Sequence, residues 1–384
     1  MQYRQCGNTG AMLSALGFGM MRLPLIAAGA KEEIPGINGI DYPTSQRMLR
    51  DAVDDGLNYV DTAYVYHGGA GEIVTGRALA DGYRDRVYLA TKSPLWNYRS
   101  EASFDEFLGE QLKKLQTDHI DFYMLHGLNR NKWEKTALQY NAVENLFKAK
   151  ADGRVRFAGF SFHDSLDTFK EIVDYAKWDF CQIQLNYMDV AYQAGIEGMK
   201  YAASKGLGVI IMEPLRGGYL AAPPEPVREM IGDGKTPVEW ALDFLWDMPE
   251  VSTVLSGMST PEQIAQNMEY AKRSAIGKLT QAERALYEKT RERFGEYEAI
   301  PCTGCAYCYI CPRRVAIPGA FRCYNEYLMT NDISHASAIY NKVLPIDGTL
   351  CDECIKCHRC EEVCPQGIKI TEWMPKIHEL FSGK

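Results

Sequence analysis

Short apolar segments recur through the first 260 residues at intervals of roughly 30 residues, the length of a strand–helix–strand unit. They are rich in β-branched and aromatic residues. Several are continuously apolar, as strands buried on both faces are. The eight predicted strands are 16–20, 57–63, 86–92, 120–126, 156–162, 181–187, 208–214 and 251–257.

Amphipathic helical patterns lie between these segments. In 45–56, Met48, Leu49 and Val53 share one face, and Gly56 is placed to end the helix. A last helical pattern leads out of the repeat. The predicted helices are 45–56, 104–116, 168–178, 195–206, 236–246 and 279–300.

This alternation predicts the fold class. A strand followed by a helix, eight times over, favours a closed (β/α)8 barrel. The alternative is an open doubly wound sheet, but no G-x-G-x-x-G turn follows the first strand. The alternation stops near residue 275. We therefore expect a barrel domain over residues 1–280 and a second, smaller domain over residues 281–384.

Composition and charge narrow the function class. The 384 residues are 46% hydrophobic and 24% charged, as in ordinary globular proteins. The net charge of −8 argues against nucleic-acid binding, which needs a basic face. No apolar run has the length of a membrane span, and the N-terminus has no signal-peptide core. We therefore expect a cytoplasmic protein with neither a nucleic-acid nor a membrane partner.

Polar residues stand where several predicted strands end, the position of catalytic groups in a barrel of this kind. Asp61 lies in the second strand, and Tyr66 follows in the next loop. Lys92 ends the third strand and His126 the fourth. Each alone has a commonplace explanation: a helix cap, a solvated lysine or a buried histidine. Together, at successive strand ends, they favour one shared site.

These residue types suit carbonyl reduction by hydride transfer. A tyrosine hydroxyl, with an ordinary pKa of about 10, is a poor proton donor near neutral pH. Lys92 would favour the phenolate of Tyr66, and Asp61 would keep Lys92 charged and oriented. His126 could donate to the carbonyl oxygen and polarise it.

Five segments of the chain carry a recognisable family pattern: "YRQCGNTGAMLSALGFGMMRLP", "LNYVDTAYVYHGGAGEIVTGRAL", "RVYLATK", "LQTDHIDFYMLHG" and "GRVRFAGFSFHD". Together they resemble the aldo/keto reductase family, and more narrowly its iron–sulfur-containing branch, whose barrel carries a ferredoxin-like tail. The resemblance implies a (β/α)8 barrel, a nicotinamide cofactor (usually NADPH) and a catalytic tetrad that falls on Asp61, Tyr66, Lys92 and His126.

The resemblance also implies a set of cofactor-binding positions. They lie at the end of the first strand, at the ends of two later strands that would hold the nicotinamide, in a pyrophosphate loop within 212–218 and in an adenosine-binding segment within 257–267. By matched position they are Gly19, Met20, Ser161, Gln184, Tyr187, Pro214, Leu215, Gly217, Gly257, Ser259, Gln263 and Asn267.

Some positions depart from the family pattern. His67 stands where a glycine often follows the tyrosine, and Phe162 and His163 replace the usual Asn-Phe. Gln263 stands where members specific for NADPH often carry an arginine, the residue that holds a phosphate bidentately. The choice between NADP and NAD therefore stays open, and a flavin is an alternative cofactor.

The cysteines are concentrated in the tail. Ten of the twelve lie after residue 300, the exceptions being Cys6 and Cys181. In a chain with no export signal, such density favours metal binding over disulfides. Two runs each end in Cys-Pro. They are Cys302, Cys305, Cys308 and Cys311, and Cys354, Cys357, Cys360 and Cys364.

The second run has the bacterial ferredoxin spacing C-x2-C-x2-C-x3-C-P, in which the last cysteine binds the other cluster. The first run is one residue shorter. The simplest assignment is two 4Fe–4S clusters, one held by Cys302, Cys305, Cys308 and Cys364, the other by Cys354, Cys357, Cys360 and Cys311. A single cluster and a zinc site are the alternatives. Cys323 reads as a buried apolar residue, and Cys351 has no assigned role.

The barrel and the cysteine-rich tail together are compatible with three functions. They differ in whether the clusters exchange electrons with the barrel, because a hydride carries two electrons and a cluster normally passes one. In the favoured one, the barrel reduces a small-molecule carbonyl with NAD(P)H and the clusters are structural or sensory. In the second, a flavin splits electron pairs fed from ferredoxin or another electron carrier. The third is a non-catalytic electron-transfer module. Four loop aromatics either line the substrate site or simply pack: Trp96, Tyr98, Trp133 and Tyr192.

Overall fold

The computed structural model describes residues 1–27, 30–295 and 300–382. Residues 296–299, at the end of the predicted helix 279–300, lie outside the described residues. The chain divides into two compact units. The first comprises Met1–Pro214 with Leu242–Leu279, and the second Leu215–Ala241 with Thr280–Lys384. The domain boundary after residue 280 stays a prediction.

The first unit is built on a closed eight-stranded parallel barrel, preceded by an antiparallel hairpin. Strand β10 pairs with β3, so the sheet has no open edge, and the doubly wound alternative is wrong. The hairpin strands are β1 Tyr3–Gln5 and β2 Met12–Ser14. The barrel strands are β3 Leu16–Gly19, β4 Tyr59–Asp61, β5 Tyr88–Ser93, β6 Ile120–Leu128, β7 Val155–Phe162, β8 Phe180–Gln184, β9 Gly208–Met212 and β10 Val251–Ser256.

Helices alternate with the barrel strands and continue through the second unit. No helix in the described ranges is both long enough and apolar enough to cross a membrane. The α-helices are α1 Tyr42–Asp54, α2 Gly71–Ala78, α3 Ser103–Leu115, α4 Arg130–Lys132, α5 Ala142–Ala151, α6 Leu166–Tyr175, α7 Gly195–Ser204, α8 Glu225–Ile231, α9 Pro237–Trp246, α10 Pro261–Lys272, α11 Gln281–Gly295, α12 Ile317–Thr330, α13 Ile333–Ala338, α14 Leu344–Asp347, α15 Arg359–Glu362 and α16 Ile370–Phe381.

Local sequence explains where the barrel helices begin. The carboxylate of Asp41 accepts the Thr44 N–H at the start of α1, and the hydroxyl of Thr260 accepts the Gln263 N–H at the start of α10. Each helix also has a proline in its first turn, where the missing N–H has no intrahelical role. These caps set the helix ends that face the loops after β3 and β10.

The hairpin closes one end of the barrel, a feature that the sequence patterns did not predict because its strands are three residues long. Cys6 and Leu13 are fully buried in one apolar cluster with Phe122, Phe157 and Phe180 of the barrel interior. Cys6 is therefore a packing residue. With this end filled, functional groups are left to the opposite end, where the strands terminate.

The second unit is helical over its described residues after position 279, apart from a single bridge between Val315 and Thr349. Its core contains Phe321 and Tyr340 together with apolar residues of α16. Cys323 is fully buried in this core, as predicted. The ferredoxin-like character of the tail stays a prediction.

Candidate active site

The register of the barrel brings the predicted catalytic residues to one edge. Asp61, the last residue of β4, lies opposite Ala90 of β5, and Lys92 of β5 lies opposite Met124 of β6. His126 lies on β6, two residues after Met124. Because all the strands are parallel, these side chains meet at the end where the strands terminate.

Lys92 is the centre of the group. Its Nζ lies 2.6 Å from Oδ1 of Asp61, 2.8 Å from the carbonyl oxygen of Thr62 and 3.5 Å from Oη of Tyr66. Only 1% of the Lys92 side chain and 3% of the Asp61 side chain are exposed. The ammonium is therefore a buried charge whose donors are directed at one carboxylate, one carbonyl and one phenol.

Burial and pairing act against each other in the buried ion pair. Burial lowers the pKa of Lys92, and the Asp61 carboxylate opposes this shift. Burial raises the pKa of Asp61, and Lys92 opposes that shift in turn. Each charge is held in place by the other, because neither has bulk water around it.

His126 is buried and uncharged. Burial takes its pKa well below the ordinary value, and the charges of Lys92 and Lys132 and the neighbouring His163 lower it further. Its ring centroid lies 4.9 Å from that of Trp96. A neutral imidazole beside the ammonium of Lys92 can donate a hydrogen bond to an oxygen without adding a second charge.

The residues on β7 and β8 that are predicted to bind the nicotinamide are held by hydrogen bonds. Ser161 Oγ accepts the backbone N–H of Gly127 at 2.7 Å. Gln184 and Asn186 both donate their side-chain amides to Oδ2 of Asp189, at 2.9 Å and 2.8 Å. Asn186 and Asp189 were missed from the sequence, where they appeared only as polar residues after a strand. They fix the orientation of the Gln184 amide.

The end of β3 is closely packed. A Cβ at Gly19 would lie 3.3 Å from the carbonyl oxygen of Ser256, so a side chain there would crowd β10. Met20 is fully buried beside it. Asn267 donates its amide to Oγ of Ser256 at 3.1 Å, which ties α10 to the same strand end.

The residues that are predicted to bind the adenosine end of the cofactor lie around the start of α10. The Ser259 hydroxyl donates to the carbonyl oxygen of Arg22 at 2.7 Å, and the Ser259 N–H donates to Oε1 of Gln263 at 2.7 Å. A Cβ at Gly257 would lie 3.3 Å from the side chain of Arg22. Arg22, also missed from the sequence, thus puts a guanidinium-bearing side chain against the segment in which Gln263 replaces an arginine.

Three residues are predicted to bind the pyrophosphate of the cofactor. Pro214 ends a segment of the first unit, whereas Leu215 and Gly217 belong to the second. Gly217 has a φ of +68°, and a Cβ on it would lie 2.1 Å from the carbonyl oxygen of Thr303. Only glycine fits there, because both its conformation and its contact exclude a side chain.

The sequence of the chain is also similar to a known protein family. A model of the aldo/keto reductase family matches residues 15–283. The chain belongs to the aldo/keto reductase family. It is therefore an oxidoreductase of the aldo/keto reductase type.

Named relatives of this aldo/keto reductase are distant ones. L-galactose dehydrogenase of Arabidopsis thaliana is 26% identical over 290 residues, which cover 70% of this chain and 87% of the relative. The NADH-specific methylglyoxal reductase of Escherichia coli strain K12 is 24% identical over 311 residues, 68% of this chain and 91% of the relative. The holo form of an aldo-keto reductase from Bacillus halodurans superposes with a TM-score of 0.62 at 25% identity, covering 76% and 96% of the two chains.

The family match ends before the cysteine tail of this aldo/keto reductase. Within the second unit, Cys302, Cys305, Cys308 and Cys364 line one cavity, together with Phe321 and other apolar residues. These four are the cysteines that the ferredoxin-type spacing assigns to one cluster. Three come from the first run and one from the second, so the cavity depends on the tertiary fold.

Among the remaining thiols of the two runs, Cys311 and Cys354 lie close enough to Cys360 to affect its pKa. Helix α15 packs against the turn Tyr307–Ile310, which precedes Cys311. Burial raises the pKa of Cys360 to about 11, and Glu361, Cys311 and Cys354 add to the shift. Cys357, the fourth cysteine of this predicted group, is exposed.

Two further observations bear on the tail. Among the described residues, no group of three or more His, Cys, Asp or Glu side chains is arranged to hold a metal ion.

Cys351 is buried, and its N–H donates to Oη of Tyr340 at 3.0 Å. Burial raises the pKa of Cys351 to about 12, so at neutral pH it is a packed thiol.

Proposed function

We propose that this aldo/keto reductase reduces a small-molecule aldehyde or ketone to the alcohol with NAD(P)H, and that its tail carries two 4Fe–4S clusters. The observation that carries the reductase proposal is the buried chain from Asp61 through Lys92 to Tyr66. A phenol next to a fully buried, paired ammonium is a proton donor adapted to an oxygen that becomes negative during the reaction.

The nicotinamide, when bound, supplies the hydride that forms the new C–H bond. Tyr66 gives its proton to the former carbonyl oxygen, which becomes the hydroxyl of the product. Lys92 stabilises the phenolate left on Tyr66, and Asp61 keeps Lys92 protonated and aimed. Neutral His126 donates to the same substrate oxygen and orients the carbonyl.

The chain offers partners for both ends of the cofactor. Ser161 and the Gln184 amide, fixed by Asp189, fit a carboxamide, which needs both a donor and an acceptor. At the other end, Arg22 lies against Gly257 and Ser259. We infer that Arg22 takes over the phosphate-binding task that Gln263 cannot perform, and therefore that NADPH is preferred to NADH.

The cluster proposal is supported by the shared cavity of Cys302, Cys305, Cys308 and Cys364. The four thiols are the donor type that a cubane cluster uses, and such a cluster also needs apolar walls to limit solvent access. For the second cluster we propose Cys354, Cys357, Cys360 and Cys311 as ligands, and the closeness of Cys311 and Cys354 to Cys360 supports this assignment. The clusters would supply single-electron transfer, and we assign them a structural or sensory role, since the carbonyl chemistry needs none of their electrons.

One experiment tests both parts. Protein purified without oxygen is assayed for iron, acid-labile sulfide and flavin, and then for NADPH oxidation with a panel of aldehydes and ketones. We expect about eight iron and eight sulfide per chain, as two cubane clusters require, no flavin, and carbonyl-dependent oxidation of NADPH. Tightly bound flavin, with reduction only from ferredoxin, would refute the nicotinamide proposal.

A further inference from the structure

Lys132 lies at the same end of the barrel as His126. It is the last residue of the short helix α4, which begins two residues after the end of β6. Its Nζ donates to the carbonyl oxygen of Gly127 at 3.0 Å and lies 5.4 Å from the ring centroid of Trp96. Trp96 packs in turn against the ring of His126. Lys132 and Trp96 therefore form one wall of the region next to His126.

The Lys132 ammonium differs from its neighbours in having no acidic partner in the part of the chain that the structure describes. Lys92 is paired with Asp61, and Arg130 is paired with Glu134 and Glu171. No carboxylate oxygen of the described residues lies within 4.0 Å of Lys132 Nζ. The side chain is half-buried, and burial alone lowers its pKa to about 8.

The other titratable groups near Lys132 do not compensate its charge. His126 and His163 have pKa values lowered by burial and by Lys132 itself, so both rings are neutral near pH 7. The charge of Lys92 is already matched by Asp61. Next to His126, the described residues thus present a positive charge, that of Lys132, with no carboxylate to compensate it and partly removed from water. Such a cation gains most from an anionic ligand, because the ligand replaces water that burial has taken away.

We propose that Lys132 and Trp96 form a subsite for a carboxylate on the substrate, so that the enzyme acts on oxo-carboxylates, compounds that carry both a carbonyl and a carboxylate. This inference rests on the proposed carbonyl reduction. With the carbonyl oxygen at Tyr66 and His126, the carboxylate lies against Lys132 Nζ. The indole of Trp96 covers the short apolar segment between the two groups. Lys132 is then a specificity-determining residue.

A purely structural role for Lys132 makes a different prediction. Its bond to Gly127 O anchors the chain next to His126, so its loss could disturb catalysis in general. That disturbance would affect charged and neutral substrates alike, whereas loss of a carboxylate subsite affects only the charged ones.

The test compares charged and neutral substrates of one shape. Pyruvate is paired with methyl pyruvate, and succinate semialdehyde with its methyl ester, in NADPH-dependent assays of the holoenzyme. We expect the preference in kcat/KM for the acid over its ester to fall about tenfold to a hundredfold in Lys132→Met, as loss of a charge-assisted hydrogen bond implies. Lys132→Arg should keep most of the preference. Lys135→Met, on the exposed face of the following turn, is the matched control and should leave it unchanged.

An unchanged preference in Lys132→Met, or an equal loss for acids and esters, would overturn the subsite. A second measurement does not depend on turnover. Calorimetry compares binding of butanoate and butanamide to the wild type and to Lys132→Met. Butanoate should bind the wild type more tightly than the amide does, and Lys132→Met should abolish the difference. If no carbonyl is reduced by any form while butanoate still binds through Lys132, the proposed function fails and the subsite stands.

Discussion

The Nζ of Lys92 and Oδ1 of Asp61 form an ion pair of 2.6 Å that is almost wholly removed from solvent. The pair links β4 to β5 and at the same time directs the ammonium at Tyr66. Folding and proposed catalysis thus depend on the same two side chains. Substitutions can separate the two contributions, because stability needs only a compensated charge, whereas proton transfer needs the ammonium itself.

Asp61→Asn should lower the free energy of unfolding by about 3–5 kcal/mol, the typical result of leaving one member of a buried ion pair uncompensated. Urea denaturation followed by fluorescence measures the change. The double variant Asp61→Asn/Lys92→Met removes both charges and should recover much of the stability while staying inactive. A single variant as stable as the wild type would contradict the buried pair.

Tyr66→Phe should reduce kcat for carbonyl reduction by about 10²- to 10⁴-fold, the range of a lost general acid. The affinity for NADPH should change little, because the ring remains and only the hydroxyl is lost. Steady-state kinetics and cofactor titration measure the two effects. Tyr64→Phe is the matched control, since the Tyr64 hydroxyl bonds to Glu110 instead. Turnover in Tyr66→Phe equal to that of the control would rule out the assignment.

Stability should fall as the pH is lowered from about 6.5 toward 4. Burial lowers the pKa of His163 from 6.5 to about 4. Between these values the unfolded chain binds a proton that the folded chain does not, so acid favours unfolding. Urea midpoints at pH 7.5, 6 and 5 measure the slope. His163→Gln should make the slope shallower without removing it, because burial also lowers the pKa of His126. His335→Gln, which changes an exposed ring, should leave the slope unchanged. Equal slopes in all three proteins would contradict the buried neutral imidazole.

Gly217→Ala should destabilise the protein more than the neighbouring substitution Gly218→Ala. Both Gly217 and Gly218 have positive φ, but only at Gly217 would a Cβ meet another atom, the carbonyl oxygen of Thr303. Gly218→Ala should cost about 1–2 kcal/mol for the left-handed backbone. Gly217→Ala should cost a further 1–3 kcal/mol or so because the chain must move away from Thr303. Thermal unfolding of both variants measures the difference, and equal losses would contradict this contact.

Cys364→Ala should remove about half of the iron, since each of the two proposed clusters draws its fourth ligand from the other run. Iron analysis after anaerobic purification measures this. Cys323→Ala changes a core thiol outside both groups and should retain the full iron content. If Cys364→Ala keeps all its iron, the shared cavity with Cys302, Cys305 and Cys308 does not hold a cluster.

The barrel was predictable because its signals are local. Each strand is a short apolar segment, and each helix has an apolar stripe and, in several cases, a capping residue next to a proline. That the predicted catalytic residues would meet was predictable for the same reason, since a parallel barrel brings every strand end to one edge; their catalytic roles stay a prediction. The loop aromatics show the limit of this reasoning. Trp96 lies against His126, whereas Trp133 is buried against Tyr175.

Contacts between segments that are distant in sequence could not be predicted from such local patterns. Arg22 beside Gly257 and the hairpin that fills the barrel each depend on residues far apart in sequence. Periodicity reports which face of an element is buried, but not which element covers it. The two cysteine runs were predictable only in part. Their spacing suggested that the runs share ligands, but only the fold shows that Cys364 of the second run lines the same cavity as three cysteines of the first.

The sequence by itself determined the eight-unit barrel, the family and the positions of Asp61, Tyr66, Lys92 and His126, because these depend on short-range pattern and strand order. The tertiary structure decided which charges are matched: Lys92 is compensated by Asp61, whereas no acidic partner of Lys132 lies among the described residues. Electrostatic energy depends on distance and burial, and both are fixed only when separate segments of the chain pack together.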